Sequence, residues 1–319
     1  MKTPRSTTWF IDYELRPSKQ LERKIVFESI RSAERAGVEV GHLRYLGMGG
    51  YRFVDFLVAR RILGTSIFTS LERDKKLLPR CEFNKPFEQV EVVSSELHDY
   101  LEKNAFPDPM IAWLDFESPV SRDVRTDASD IAIKVQPGSF VFVTALGEIH
   151  PRVTQADERR RREYYVSQFG GYAGSLKDSD FGVDSFPTTA AKLLQSFLVH
   201  AFGGRKDGSY LPYLTATYKD TTWMVTAGGY FGSEEMIGKL QECWRTKFDF
   251  LSIDNWEAVF RIPRFNITDA EKRVFDSASL PVENSPAMKL INRLGFNDEI
   301  VQQYGFVARH VPRYFETYL

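Results

Sequence analysis

The chain has 319 residues, 43% of them hydrophobic, and its 42 Lys and Arg against 43 Asp and Glu leave a net charge of −1. That length supports one large domain or two modest ones around a sizeable core, and the balanced charge excludes a global field that would gather nucleic acid. Cys81 and Cys243 are the only cysteines, which excludes a disulfide framework or a cysteine zinc site and predicts free thiols in a reducing compartment. Residues 1–6 contain no apolar signal segment, and no apolar run approaches membrane-span length. A soluble cytoplasmic protein is expected.

Taken in chain order, Pro17 blocks helix before it, Ser18 can cap a helix over 18–36, and Leu21, Ile25, Val26 and Ile30 share its apolar face. Residues 43–46 read as a buried strand, Gly47, Gly49 and Gly50 as a tight turn, and 51–63 as a helix stopped by Gly64. A second strand over 67–71 ends on Glu72. Strand, glycine turn, helix, strand and acid make a nucleotide-binding βαβ unit. Helices are expected at 75–83, 96–103 and 122–135, and strands at 90–93, 110–114 and 140–144. This alternation predicts a doubly wound, mostly parallel sheet.

Residues 151–188 break the rhythm and read as an insertion, and 188–202 returns to a helix. The β-rich runs 211–218 and 221–229 flank Lys219 and Asp220 as an antiparallel hairpin. Helices are expected at 234–248, 269–278, 287–294 and 297–304, before an aromatic, basic end over 309–319. The expected organisation is a helical cap over 1–37, an α/β domain with a seven-stranded sheet over 38–232, and a helical accessory region over 233–319.

Two ligands fit the βαβ unit. The dinucleotide fingerprint needs a third glycine where helix and strand pack closely, and bulky Arg52 stands there. S-adenosylmethionine has no pyrophosphate and needs only two or three close glycines, so it is favoured over NAD. A glycine turn with no ligand is the plain alternative. A β-branched residue at Gly49 is expected to block the ligand while the protein still folds.

The stretches Tyr45–Gly50, Ser70–Asp74, Ala112–Phe116 and the 211–229 hairpin resemble those of class I S-adenosylmethionine-dependent methyltransferases over about 38–232. Residues 13–23, 53–56 and 82–87 also resemble phrases recurrent in bacterial proteins labelled "putative O-methyltransferases". The resemblance implies a Rossmann-like fold and methyl transfer to an oxygen or nitrogen nucleophile. One departure is that Arg44, Tyr45 and Leu46 stand where this class usually carries an acid. That departure keeps a non-catalytic nucleotide-binding or partner-binding protein as the alternative, with an NAD-dependent oxidoreductase behind it.

Within this frame Gly47, Gly49 and Gly50 approach the ligand, Glu72 accepts from its ribose hydroxyls, and Ser94 and Ser95 flank its base. Asp115, at the carboxyl end of a central strand, either orients the methionine amino group, acts as a base, or caps the next segment. Asp55 either touches the ligand or is structural. Arg16, Lys19, Tyr164, Tyr165 and Glu148 are expected around the acceptor, under the N-terminal helix and the 151–188 insertion. Arg16, Lys19, Gln20 and Arg23 either clamp a phosphate or carboxylate on the acceptor or form, as such clusters more often do, a solvated face. The basic run Arg159–Arg162 reads as helical i,i+4 pairing rather than a nucleic-acid surface. His150 is a surface histidine or a base. The scattered histidines give no metal-site spacing, so no metal is expected.

Overall fold

The computed structural model describes residues 16–245, 247–248, 250–265, 267–277, 286–296 and 298–311. The expected 1–15 part of the cap and the 312–319 part of the aromatic end lie outside them. The chain opens with helix α1 (Pro17–Ser32) and continues β1 (Arg44–Gly47), α2 (Val54–Leu63), β2 (Phe68–Glu72), α3 (Leu78–Phe83) and β3 (Val90–Ser94). Next come α4 (Leu97–Lys103), β4 (Met110–Pro119), α5 (Arg122–Lys134) and β5 (Ser139–Leu146). The insertion holds α6 (Glu158–Phe169) and α7 (Gly171–Gly174), and α8 (Phe186–Gly203) leads to the hairpin β6 (Ser209–Lys219) and β7 (Trp223–Gly232). The rest is α9 (Glu234–Arg245), β8 (Phe260–Arg261), α10 (Asp269–Ser277), α11 (Pro286–Arg293) and α12 (Asp298–Val307).

One sheet runs β3-β2-β1-β4-β5-β7-β6-β8. Strands β1 to β5 are parallel, and β7 is antiparallel to both β5 and β6. The strand order reverses between β1 and β4, the place where open α/β sheets bind ligands beyond their carboxyl ends. Alternate residues feed two cores. Ile111 and Trp113 of β4 join residues of α1, α2 and α9 on one face. Ala112 and Leu114 join α5, α8 and the insertion on the other.

Among the described residues the sheet has eight strands where seven were expected. The short β8 adds parallel to β6, pairing Ala216 with Phe260 and Thr217 with Arg261. It covers the edge of the hairpin, and the Arg261 guanidinium lies 4.9 Å from the Trp223 ring centre. Two residues are too few to carry a period-2 signal. The hairpin turn is also longer than read, because Lys219 pairs with Trp223 and leaves residues 220–222 as the connection.

Helix α1 differs from expectation in a way that bears on function. Pro17 opens it, a position where a missing N–H costs nothing. Ser18 does not cap it; its side chain is buried. The cap comes from the hairpin turn, 202 positions on, where the Asp220 carboxylate accepts from the backbone N–H of Ser18 at 3.0 Å and of Lys19 at 3.1 Å. Arg16 lies 3.7 Å from the same carboxylate. Since the turn 220–222 adjoins the carboxyl end of β5, through Leu146 opposite Met224, this cap pins α1 to the carboxyl edge of the sheet. Asp220→Ala should therefore cost about 1–2 kcal/mol of stability, read as a lower denaturation midpoint by chemical unfolding; an unchanged midpoint would show that water caps α1 equally well.

Candidate functional site

The carboxyl ends of β1, β2, β3, β4 and β5 place Gly47, Glu72, Ser94, Asp115 and the segment after Leu146 along one edge. After β1 the chain turns through Gly47, Gly49 and Gly50, and Gly50 has φ +52°. The following helix is shorter than expected. Tyr51 and Arg52 belong to the turn, and Phe53 precedes α2 in the left-handed region at φ 51° and ψ 30°. A bulky residue rarely adopts that conformation. It is held here by burial and by an edge-to-face contact with Phe56 at 5.4 Å.

The glycines of this turn serve packing. A Cβ on Gly49 would lie 2.6 Å from the Phe56 ring and 2.9 Å from the Phe53 ring, and one on Gly47 would lie 2.9 Å from the Tyr45 ring. The expectation that Gly49→Val folds normally is thereby corrected, since the missing side chain leaves room for rings rather than for a ligand alone. The Gly49 N–H donates to Ser70 Oγ at 3.2 Å, which ties the turn to β2.

Glu72 ends β2 half-buried, opposite Ser94 of β3. Its Oε1 accepts from the Asp74 N–H at 2.8 Å. Burial pushes its carboxyl up, against the downward pull of that hydrogen bond. Ser94 is exposed and Ser95 half-buried. Ser95 does not cap α4: its hydroxyl donates to Glu96 O, and Glu96 occupies the cap position.

Asp115 is not a helix cap either. Strand β4 continues through it to Pro119, and Ser121 caps α5. The Asp115 Oδ2 lies 2.7 Å from the Lys19 ammonium, which also lies 2.9 Å from Glu22 Oε2. Lys19, Glu22 and Arg23 are buried, contrary to the reading of a solvated face. Arg23 pairs with Asp55 at the start of α2, so Asp55 ties α1 to the helix behind the glycine turn. Behind Glu22 runs a chain of hydrogen bonds. Trp113 Nε1 donates to Thr144 Oγ1 at 3.0 Å, Thr144 and Thr226 share a bond of 2.8 Å, and the Thr226 hydroxyl donates to Glu22 Oε1. Burial alone would pull Lys19 down, but Asp115 and Glu22 outweigh it and hold the ammonium above its ordinary range. Burial pushes Glu22 up while Lys19 opposes the rise. Glu22 escaped the sequence reading, although its i,i+3 spacing from Lys19 was visible there.

The insertion borders the same edge, with Arg122 at the start of α5 donating to Ser167 O at 3.3 Å. Tyr165 is fully buried among Phe169, Phe181 and Phe186, and its hydroxyl accepts from the His150 N–H at 2.9 Å. It is therefore an anchor for the insertion and not a pocket residue. Tyr164 is half-buried, with its ring 5.2 Å from His150, whose imidazole is pulled down by burial and by Arg152. Glu148 is exposed and accepts weakly from the Trp223 N–H at 3.4 Å. Within Arg159–Arg162 only Arg159 makes the expected i,i+4 pair, with Glu163 at 3.1 Å. Arg161 and Arg162 donate to loop carbonyls of Val153, Thr154, Phe181, Gly174 and Leu176.

Cys81 is buried, its thiol pushed up to about 12 by burial, and Cys243 is half-buried. Among the described residues no grouping of His, Cys, Asp and Glu suits a metal ion, and no helix is long and apolar enough to cross a membrane. A cavity of about 860 Å³ lies elsewhere, lined by residues such as Arg31, His42, Gly64 and Ile67. It borders the amino ends of β1 and β2 and is remote from this edge.

Residues 11–319 match the model of a family described as "Putative O-methyltransferase". The chain belongs to that family. With it come the class I methyltransferase fold, which the sheet order displays, and S-adenosylmethionine as the cofactor. No curated protein matches the sequence. Among solved structures the chain is similar to an S-adenosylmethionine-dependent methyltransferase from Mesorhizobium loti (20% identity, 36% of this chain and 51% of that one, TM-score 0.28). It is also similar to an O-methyltransferase from Bacillus cereus in complex with SAH (12%, 67% and 81%, TM-score 0.37). A third is an O-methyltransferase family protein from Burkholderia thailandensis (13%, 66% and 60%, TM-score 0.35). The chain thus spans about half the length of the first of these.

The residues present suit an adenosyl ligand. The donor set offers a carboxylate at the tip of β2 for the ribose, hydroxyls after β3 for the base, and carboxylates at Asp115 and Asp55 for a cationic group. Gly49→Ala should lower stability by about 1–3 kcal/mol without any ligand present, because the added methyl meets packed rings; a urea midpoint equal to wild type would mean that Phe53 and Phe56 give way.

Proposed function

We propose that this chain transfers the methyl group of S-adenosylmethionine to an oxygen or nitrogen nucleophile at the carboxyl edge of β1, β4 and β5. The observation that carries the reading is the convergence of a glycine turn, Glu72 and Asp115 on the point where the strand order reverses. The cofactor supplies a methyl group on a sulfonium centre. The chain supplies position and charge. The backbone of Gly47, Gly49 and Gly50 bounds the ligand, Glu72 accepts from the ribose, and Ser94 and Ser95 border the base. Asp115, held by Lys19, anchors the amino group or takes a proton from the acceptor. The acceptor enters between α1, at Arg16 and Lys19, and the insertion, at Tyr164, with Glu148 at the rim. In this division residues 1–37 act as a cap, 38–232 as the methyltransferase domain and 233–319 as an accessory region.

A second reading, binding of an adenosyl ligand without transfer, is favoured by one feature. The Asp115 carboxylate already holds the Lys19 ammonium at 2.7 Å, which occupies an oxygen that a base would use.

Calorimetric titration with S-adenosylhomocysteine tests the site. Wild type should bind, and Glu72→Ala should bind roughly 10- to 100-fold more weakly, the loss of a charged hydrogen bond of about 1.5–3 kcal/mol. Equal affinity in a folded Glu72→Ala protein would remove Glu72 from the site, and no binding to wild type would remove the adenosyl ligand.

A further inference from the structure

The open end of the hairpin sheet gathers cations on one face. Ala216 and Tyr218 of β6, Met224 of β7 and Phe260 of β8 pack toward α1, α2 and α9. By alternation Lys219, Trp223 and Arg261 stand on the opposite face, the one that carries α5, α8 and the insertion. Register brings the three together. Lys219 pairs with Trp223 across the hairpin, and Arg261 pairs with Thr217, two residues before Lys219. Both cations lie over the same indole, the Lys219 ammonium 5.4 Å and the Arg261 guanidinium 4.9 Å from its ring centre.

Neither cation is neutralised within the fold. Lys219 and Arg261 are exposed, and among the described residues they form no ion pair. Arg264 beside them donates to Asp220 O, and the Asp220 carboxylate is itself held by Arg16 and the start of α1. Glu148 is the acid tied to this place, through the Trp223 N–H at 3.4 Å. That bond puts the patch at the rim where the acceptor enters in the reading above. The strand pairings and the Asp220 cap fix its backbone before any ligand arrives, so little ordering is lost on binding. A guanidinium meets two oxygens of a carboxylate or phosphate at once, and an ammonium meets another as a point charge. These exposed cations are too few for a nucleic-acid strand, whose binding neutralises roughly 6–10 phosphates. A small acid is the occupant that fits.

We infer that the methyl acceptor is a small molecule bearing a carboxylate or phosphate, which Lys219 and Arg261 hold beside Trp223 at the rim of the site. The inference rests on the methyl-transfer reading and adds the chemical class of its acceptor. Lys219 and Arg261 touch the anionic group and not the reacting atoms, so they determine specificity. The short β8 gains a purpose from this arrangement, since its pairing with β6 is what carries Arg261 to the ring that Lys219 shares.

The test titrates inorganic phosphate and benzoate, one probe for each anion, into the protein alone and into protein saturated with S-adenosylhomocysteine. Binding is followed at the indole N–H of Trp223 by nuclear magnetic resonance, assigned as the signal that Trp223→Phe lacks. At least one probe should shift that signal with a Kd of about 10 mM or tighter. Lys219→Gln and Arg261→Gln, each judged folded by circular dichroism, should weaken binding about tenfold or more, the loss of a charged hydrogen bond. Lys75→Gln, an exposed lysine beyond β2 and across the sheet, should leave it unchanged. A shift from phosphate alone assigns a phosphate-bearing acceptor, and one from benzoate alone a carboxylate. No shift from either probe overturns the inference. So does a shift that survives both substitutions or falls equally in Lys75→Gln, which marks an adventitious ion only. Protein that binds S-adenosylhomocysteine and neither anion loses this inference alone, whereas protein that binds an anion and not S-adenosylhomocysteine overturns the methyl-transfer reading and the acceptor's role with it.

Discussion

The Lys19 ammonium is the point on which the carboxyl edge of the sheet depends. A lysine with 1% of its surface exposed forfeits its hydration, and that loss is tolerable only where partners are placed to replace the water. Asp115 of β4 and Glu22 of its own helix are those partners. The ring faces of Trp113 and Tyr218, with centres 5.0 and 5.9 Å from the ammonium, complete the surroundings. Moving any one of these groups leaves a charge buried without its counterpart. The position of α1 is thus set to within a hydrogen bond of the strand that presents Asp115, and the Asp220 cap and the Arg23–Asp55 pair fix the same helix at two more places.

The same economy governs the glycine turn. The turn must close over a sheet whose first strand presents Tyr45, and Phe53 and Phe56 fill the space beneath it. Glycine meets that demand because it omits the one atom that would collide with those rings. The strained backbone at Phe53 follows: the chain must enter α2 directly from a tight turn, and the aromatic side chain is anchored where it cannot relax.

Much of this architecture was legible in the sequence, because buried parallel strands read as apolar runs and glycines punctuate them. The residues of β1, β2, β4 and β5 stood out for that reason, as did the helices between them and the carboxylates at their ends. What was hidden depended on distant partners. Nothing local distinguishes a buried Lys19 from a solvated one; its burial follows from residues 115, 113 and 218. The cap of α1 lies some two hundred positions away, so Ser18 looked like the nearer choice. Tyr165 looked available because its neighbours in sequence are charged, while the rings that enclose it come from residues 169, 181 and 186. The two-residue β8 exists only because β6 offers it an edge.

Helix α1 also explains how the C-terminal region can matter to an edge it does not line. The first turns of α1 hold Asp115 and Asp55, and its last turns are held from the other direction. Trp244 of α9 donates from Nε1 to Ser32 Oγ at 2.8 Å and to Ser29 O at 3.2 Å, and its ring packs 4.2 Å from Tyr213 of β6. His310 lies 2.9 Å from the Glu28 carboxylate. A sixteen-residue helix anchored at both ends behaves as a rod. Displacement of α9 is therefore felt at Lys19, because packed interiors transmit shifts rather than absorb them. Helix α1 and the region that follows the sheet form one mechanical unit, with the buried ion cluster at its far end.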